Sequence, residues 1–206
     1  EFNDAACSNL GYTRDQFAAL TALDIQVDRT PEELAERIRG LQNKQGSTSF
    51  DDRHRCADGS VRDVELSYRA IDIRGRSYLA GVWRDITEKR RAAEQLLKLS
   101  RAVEQSMASV IITNTAGYIE YVNRAFVDTS GYAADEVVGK RAGFLKSGLT
   151  PPETYHALWS SLNAGKAWEG EFINRRRDGG IIVEFSRISP IVQSDGTVSH
   201  YLSIQQ

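Results

Sequence analysis

The chain has 206 residues, 41% of them hydrophobic and 26% charged, a length that suits two domains of about 100 residues each. Its net charge of −2 gives no electrostatic reason to expect nucleic acid or an anionic membrane as partner. No apolar run approaches the ~18 residues of a membrane span, and no secretory leader is visible.

Along the chain, the first segment is FNDAACSNLGYTRDQF from Phe2, and it reappears 120 residues later as VNRAFVDTSGYAADEV from Val122. Five of the sixteen aligned positions are identical: Asn3/Asn123, Ala5/Ala125, Gly11/Gly131, Tyr12/Tyr132 and Asp15/Asp135. About one match would arise by chance. The offset persists where HRCADGSV from His54 faces NRRRDGGI from Asn174, so that Asp58-Gly59 matches Asp178-Gly179. Beyond that turn the residue match slips by one, pairing Glu65 with Glu184 and Ser67 with Ser186. A period this long marks a duplicated domain rather than a solenoid. Residues 101–121 have no counterpart in the first copy, which is therefore expected to lack an opening hairpin and to expose an unpaired edge.

Cys7 and Cys56 neither staple a scaffold nor sit at metal-ligand spacing, and they fit reduced, half-buried residues of a cytosolic protein. His54, His156 and His200 are scattered without an i,i+4 pair, so metal catalysis has no support. Between the copies lies DITEKRRAAEQLLKLSRAVEQSM, in which Ala93, Leu96, Ser100, Val103 and Met107 recur at 3,4,3,4 spacing. This is a narrow helical seam about two heptads long. It suits either a linker helix packed on its own domain or a parallel coiled-coil dimer.

The second copy opens with SVIIT from Ser109, the turn NTAG and the strand YIEYV from Tyr118, together a hairpin. NRAFVDTSGY follows as a helix with Ala125, Phe126 and Thr129 on one face and Gly131 as its C-cap. AADEVVGK reads as another short helix. SGLTPPETYHALWSSLNAG gives a fuller one, with Thr150 as N-cap and Gly165 at the stop. Three strands close the copy, AWEGEFINRR, GIIVEFSRISPI and SHYLSIQQ, with Asp178-Gly179 and Asp195-Gly196 at the turns. Contiguous strands split by a helical insert give an α+β fold, an antiparallel sheet with helices on one face. Small ligands commonly sit between two such layers.

These phrases resemble the PAS domain family. GVWRDITEKRRAAEQL is similar to its closing strand and DIT-type exit helix, and NRAF…SGY…EVVGK and NRRRDGG to its core phrases. The resemblance covers nearly the whole chain: 1–87 as a first PAS domain without its hairpin, 88–106 as a helical linker, and 107–206 as a second. Each complete copy is expected to carry a five-stranded antiparallel sheet. What the resemblance implies is a sensory and interaction module, the input portion of a bacterial signalling protein of the histidine kinase or diguanylate cyclase type. A homodimer formed through the linker helix and PAS surfaces is implied with it. No phosphoacceptor box, phosphate-cradling loop or nucleophile–base pair is visible, so catalysis is expected only in an output domain outside these residues.

The light-sensing branch of the family holds flavin with an Asn in an NxRxxG phrase, a second Asn six residues before the strand proline, and a Gln on the final strand. By position these fall on Asn174, Glu184 and Gln205. One amide offers donor and acceptor in one plane, which matches the uracil-like edge of a flavin. A carboxylate at 184 accepts but donates only when protonated. GKRAGFLKSG resembles that branch's cysteine-bearing phrase, with Phe144 retained and Ala142 in place of the cysteine, so a thiol adduct is not expected. Trp168, Gly170 and NRRRDGG resemble the flavin-binding redox PAS domains of nitrogen-fixation and methane-oxidation regulators. FAD or FMN is thus implied in the second domain, with Trp168 either lining the ring or packing in the core.

The same residues also suit plainer roles. Asn174 precedes a turn and could bond local backbone, Gln205 could face solvent, and Glu184 could pair with Arg175 or Arg187. The first copy carries His54, Glu65 and Trp83 at the corresponding positions and Thr48 opposite Trp168, so no flavin is expected there. Haem held by His156 is disfavoured, because that residue is offset from the apolar stripe of Tyr155, Leu158, Trp159 and Leu162.

Overall fold

The computed structural model describes residues 1–42 and 46–206. The chain divides into two compact units, Glu1–Leu96 and Leu97–Gln206. Unit 1 runs α1 (Asp4–Leu10), α2 (Arg14–Ala19), α3 (Ala22–Ile25), α4 (Pro31–Gln42), β1 (Ser47–Arg55), β2 (Val61–Ile73) and β3 (Arg76–Asp85). Helix α5 (Thr87–Glu104) crosses into unit 2. There follow β4 (Ser109–Asn114), β5 (Ile119–Val122), α6 (Arg124–Ser130), α7 (Ala134–Val137), a 3-10 helix (Ala142–Leu145), α8 (Pro152–Asn163), β6 (Trp168–Arg175), β7 (Ile181–Val192) and β8 (Val198–Gln205).

The unit 1 sheet has the order β1-β2-β3, and the unit 2 sheet β5-β4-β8-β7-β6, with every pairing antiparallel. Unit 2 is thus the five-stranded α+β layer expected, and unit 1 has three strands with no counterpart of β4 and β5 among the described residues. Both β1–β2 and β6–β7 turn on Asp-Gly. The Asp58 carboxylate accepts from the Ser60 N–H at 2.9 Å, and Asp178 from the Gly180 N–H at 2.8 Å. Such an Asx bond closes a turn locally and leaves the flanking strands to alternate.

The register corrects one expectation. Asp52 faces Val64 in unit 1, and Phe172 faces Glu184 in unit 2, so the offset of 120 continues without a slip. The structural counterpart of Glu184 is Val64, fully buried, while Glu65 lies on the exposed face. A shift of one residue would turn every side chain of the strand to the opposite face, and the burial of Val64 and Leu66 forbids it.

Unit 2 buries two apolar clusters rather than one. Ile111, Ile119, Val122, Phe126, Val137 and Leu145 form the first. Leu158, Leu162, Trp168 and Phe172 form the second, beneath α8. Two helix-end expectations change here. Thr150 does not cap α8; its hydroxyl accepts from the Ile173 N–H at 2.8 Å and so ties the approach to α8 onto β6. Met107 lies past the end of α5 and is 99% exposed, so the 3,4,3,4 seam stops at Val103. Cys7 and Cys56 are both buried rather than half-buried, within one unit 1 cluster.

Asn123 joins the parts of unit 2. Only 1% exposed, it accepts from the N–H groups of Val110 (2.8 Å) and Phe126 (3.1 Å) and donates to the carbonyls of Val103 (3.0 Å) and Ala108 (2.9 Å). One side chain thereby caps α6, holds β4 and anchors the last turn of α5. Its repeat partner Asn3 makes the cap bond alone, to the Ala6 N–H at 3.0 Å. Asn123→Ala is expected to cost unit 2 about 2–4 kcal/mol, because it strips buried backbone groups of partners. Asn3→Ala is expected to cost unit 1 about 1 kcal/mol. Urea unfolding of both variants measures the contrast, and equal losses would contradict it.

Candidate functional site

A cavity of about 350 Å³ in unit 2 lies between the two apolar clusters, lined by Ile111 and Leu145 of one and Leu158, Leu162 and Phe172 of the other. The reason for the space can be read across the sheet. Residues facing one another across the strands run Gly170, Ser186, Gln205, Ser109, a row of small or polar side chains. The same row in unit 1 runs Phe50, Leu66, Trp83, all bulky. Gly170 is required by a close approach, since a Cβ there would lie 2.4 Å from the Trp168 ring. Trp168 folds along its own strand over that glycine and tilts against Phe172 with ring centroids 5.0 Å apart.

Polar groups collect on the cavity wall. Asn174, Ser203 and Gln205 line it, and all three are buried. Asn174 Nδ2 donates to Glu184 Oε2 at 2.9 Å, and Glu184 is buried as well. That bond orients the amide across the β6–β7 pair. Gln205 Oε1 and the hydroxyls of Ser203 and Ser186 are enclosed yet have no hydrogen-bond partner among the described residues. A buried polar atom without a partner costs about 1–3 kcal/mol, and Ser203 and Gln205 line the cavity, where water or a ligand can supply one. Aromatic faces complete it: Tyr155 stacks on Phe172 at 5.6 Å, and Trp159 meets Tyr201 edge-on at 6.1 Å.

Asn174 and Gln205 therefore line the cavity, and Glu184 is joined to Asn174. Trp168 and Phe144 are not among the lining residues. Trp168 belongs to the cluster under α8, and Phe144 packs edge-on to Tyr132 at 5.1 Å. Ala142 does line the cavity and presents only a methyl group. His156 is on the exposed face of α8, away from the lining residues Tyr155, Leu158, Trp159 and Leu162. Sequence reasoning missed Ser203 and the cationic residues Arg141 and Lys146. Ser203 stands two residues before Gln205 and so on the same face, a signal that strand alternation alone could have supplied.

In unit 1 the positions of Asn174 and Gln205 are taken by His54 and Trp83, whose rings meet edge-on at 5.5 Å. Asp52 replaces Phe172 and is held by Gln26 at 2.8 Å and Arg29 at 3.2 Å. Burial pushes the His54 imidazole below its ordinary pKa, against a smaller opposing pull from Asp52. No group of three or more His, Cys, Asp or Glu side chains that could hold a metal ion occurs among the described residues. No described helix is long and apolar enough to cross a membrane.

Comparison with known proteins gives the following. A family model described as a PAS domain matches residues 1–88 and, separately, 107–206. A nitrogen fixation regulatory protein of Klebsiella oxytoca is 34% identical over 104 residues, 50% of this chain and 21% of the relative. A blue-light-activated histidine kinase of Brucella canis is 33% identical over 107 residues, 50% of this chain and 22% of the relative. The chain spans about one fifth of the length of these relatives. The solved structure of an RNA-binding light-oxygen-voltage receptor aligns over 99% of this chain and 88% of its own, with a TM-score of 0.50 and 17% identity, a likeness of fold.

The buried imidazole sets a pH dependence. With the folded pKa below the ordinary value of 6.5, His54 is neutral in both states at higher pH and contributes no slope there. As pH falls below about 6.5 the unfolded chain takes up a proton that the folded one resists, so unit 1 loses stability. Urea midpoints of unit 1 are expected to fall between about pH 7 and about pH 5 and to fall less in His54→Phe. Parallel curves for the two proteins would rule out His54 as the source.

Proposed function

The chain belongs to the PAS domain family, and from that premise we propose that it is the sensory input part of a cytoplasmic bacterial signalling protein whose unit 2 binds a flavin. Residues 1–87 and 107–206 are the two domains in this reading, and 88–106 the linker. The observation that carries it is the polar wall of the unit 2 cavity. Gln205 Oε1 and Ser203 Oγ lack partners beside an Asn174 amide already oriented by Glu184. A flavin's uracil-like edge offers alternating donors and acceptors in one plane, which this set of side chains fits. The resemblance to a blue-light-activated histidine kinase is in keeping with a light-absorbing ligand of this class.

A bound flavin would supply reversible electron uptake, and hence a readout of redox state or oxygen. The chain's own residues do the rest. Asn174 and Gln205 orient the ring edge. Glu184 fixes the Asn174 amide. Tyr155, Phe172 and Trp159 supply apolar faces that exclude water. Ala142 leaves the ring without a nucleophilic neighbour at that place. Gln205 pairs with Ser109 on β4, next to the Val110 N–H held by Asn123, so strain at the ring edge has a short covalent and hydrogen-bonded route to α5. An output kinase or cyclase elsewhere in the protein would receive it.

Purified protein is expected to carry, or take up, FMN or FAD with the visible bands of oxidised flavin. Gln205→Leu should weaken binding about tenfold and shift those bands, as expected for one lost hydrogen bond in a dry site. A colourless protein that refuses both flavins overturns the reading, and a Soret band would replace flavin with haem.

Dimerisation through α5 is the second element of the proposal, because the seam residues Leu96 and Val103 are exposed at 68% and 36%. Leu96→Glu should shift a sedimenting dimer toward monomer, raising the dissociation constant at least about tenfold. A wild-type chain that sediments as a monomer at all concentrations removes this element.

A further inference from the structure

Unit 1 gathers charged and amide side chains on one face of its sheet that the flavin reading does not use. Phe50, Asp52 and His54 alternate along β1 and so point to one side, and Asp52 and His54 are both buried. The Asp52 carboxylate is well served. Its Oδ2 accepts from Gln26 Nε2 at 2.8 Å and meets Arg29 Nη2 at 3.2 Å, and its Oδ1 accepts from the Arg53 N–H at 2.9 Å. An ionised carboxylate only accepts, so it fixes the Gln26 amide with the nitrogen toward Asp52 and the oxygen turned away. Gln26 Oε1 and Arg29 Nε are then enclosed without a partner among the described residues. His54 Nδ1 is likewise unpartnered, and its backbone bridges to that of Gln26. An acceptor and a donor tied to the same carboxylate thus remain to be met.

A surplus of positive charge stands beside them. Arg37 on α4 lays its guanidinium 3.4 Å from the centre of the Phe50 ring, and the Arg29 guanidinium lies 5.9 Å from the same centre. Arg37 makes no salt bridge among the described residues, and Arg29 makes one, to Asp52. Burial, and after it the like charge of Arg29, pull the Arg37 pKa below its ordinary value. Two guanidiniums against one carboxylate leave a single positive charge uncompensated, which favours one further negative charge at this place. Both arginines are only partly buried, which gives the cluster its opening to solvent.

We propose that Gln26, Arg29 and Arg37 form a site for a small organic monocarboxylate that carries a hydroxyl on the carbon next to the carboxyl group. The planar guanidinium fork matches a carboxylate, and the hydroxyl of the ligand donates to Gln26 Oε1. One negative charge balances the surplus. A phosphate dianion exceeds it and crowds the Asp52 carboxylate, and the ammonium of an amino acid restores the positive charge that the carboxylate removes. Acetate neutralises the arginines but leaves Gln26 Oε1 unmet. This site is independent of the flavin in unit 2 and gives the chain a second, chemically different input.

Isothermal titration calorimetry of the full chain with glycolate, L-lactate, acetate, L-alanine and inorganic phosphate tests this. Glycolate or L-lactate should bind saturably, and acetate about tenfold more weakly for want of the hydroxyl. The bound hydroxy acid should also raise the urea midpoint of unit 1, because it binds the folded chain. Arg37→Gln should weaken the hydroxy acid about tenfold, and Arg37→Lys, which keeps the charge but not the fork, should weaken it less. A retained urea transition of unit 1 reports an intact fold in each variant. Failure of both hydroxy acids to bind overturns the site and leaves the flavin reading of unit 2 untouched. Acetate that matches them overturns the role of Gln26, and phosphate or alanine that binds more tightly overturns the ligand class. Affinity unchanged in both variants overturns the assignment to Arg37.

Discussion

The fully engaged amide of Asn123 is the constraint on which unit 2 depends. Its oxygen takes two backbone N–H groups and its nitrogen gives to two carbonyls, from four separate places in the unit. An amide is the side chain that can do this, since it offers two donors and a two-lone-pair acceptor in one plane. Buried at 1% exposure, the bonds work at low local dielectric, and breaking one leaves an enclosed group without water. The last turn of α5, the start of β4 and the first turn of α6 thus have a common reference point. Around it, Glu104 adds an outer tie by accepting from the Tyr121 hydroxyl and from the Arg124 N–H at 3.2 Å. Burial, reinforced by that carboxylate, pushes the Tyr121 phenol up to about 12, so it remains a donor throughout the physiological range.

From that anchored end the sheet runs to a second apolar cluster under α8, and the cavity occupies the interval. Its existence follows from side-chain volume. Where unit 1 places Phe50, Leu66 and Trp83 in one row of the sheet, unit 2 places Gly170, Ser186 and Gln205. The backbone pairing is the same, so the difference is in what fills the layer. Trp168 completes the effect by lying down over Gly170 instead of standing into the space. The duplicated scaffold therefore carries two different interiors: one whose sheet row is bulky and which encloses the His54 imidazole, and one with a cavity beside the Gln205 amide and the Ser203 hydroxyl.

Charge is arranged with the same economy. The acidic group nearest the site, Glu184, is engaged by Asn174 and lies outside the lining, so the wall presents neutral groups. The positive charge is confined to the exposed Arg141 and Lys146. In unit 1 the corresponding layer contains a charged pair, Arg29 with Asp52, beside Gln26. Removing Arg29 would leave the buried Asp52 carboxylate with one ionic partner fewer, which is unfavourable.

Much of this was legible in the residues themselves. Turn chemistry at Asp58-Gly59 and Asp178-Gly179, the helix boundary at Gly131, and the alternation of the last three strands are local effects, and they report the five-stranded layer and the repeat directly. The placement of Asn174, Glu184 and Gln205 near one another also follows, since each is set by strand spacing from a turn or a proline. Other features depend on contacts between segments distant in sequence. Thr150 looks like a helix cap until β6 offers the Ile173 N–H. Glu65 looks like the partner of Glu184 until the burial of Val64 sets the face. Trp168 and Phe144 share their neighbours' strand or loop yet turn their rings elsewhere, because Gly170 and Tyr132 give them better packing. Sequence by itself determined the repeat, the element order and the polar residues of the last strands, since those rest on periodicity and turn preference. Which of them face a common space, and that bulky side chains take the corresponding row in the other copy, was decided by tertiary packing, because volume is a property of side chains brought together from four or five elements at once.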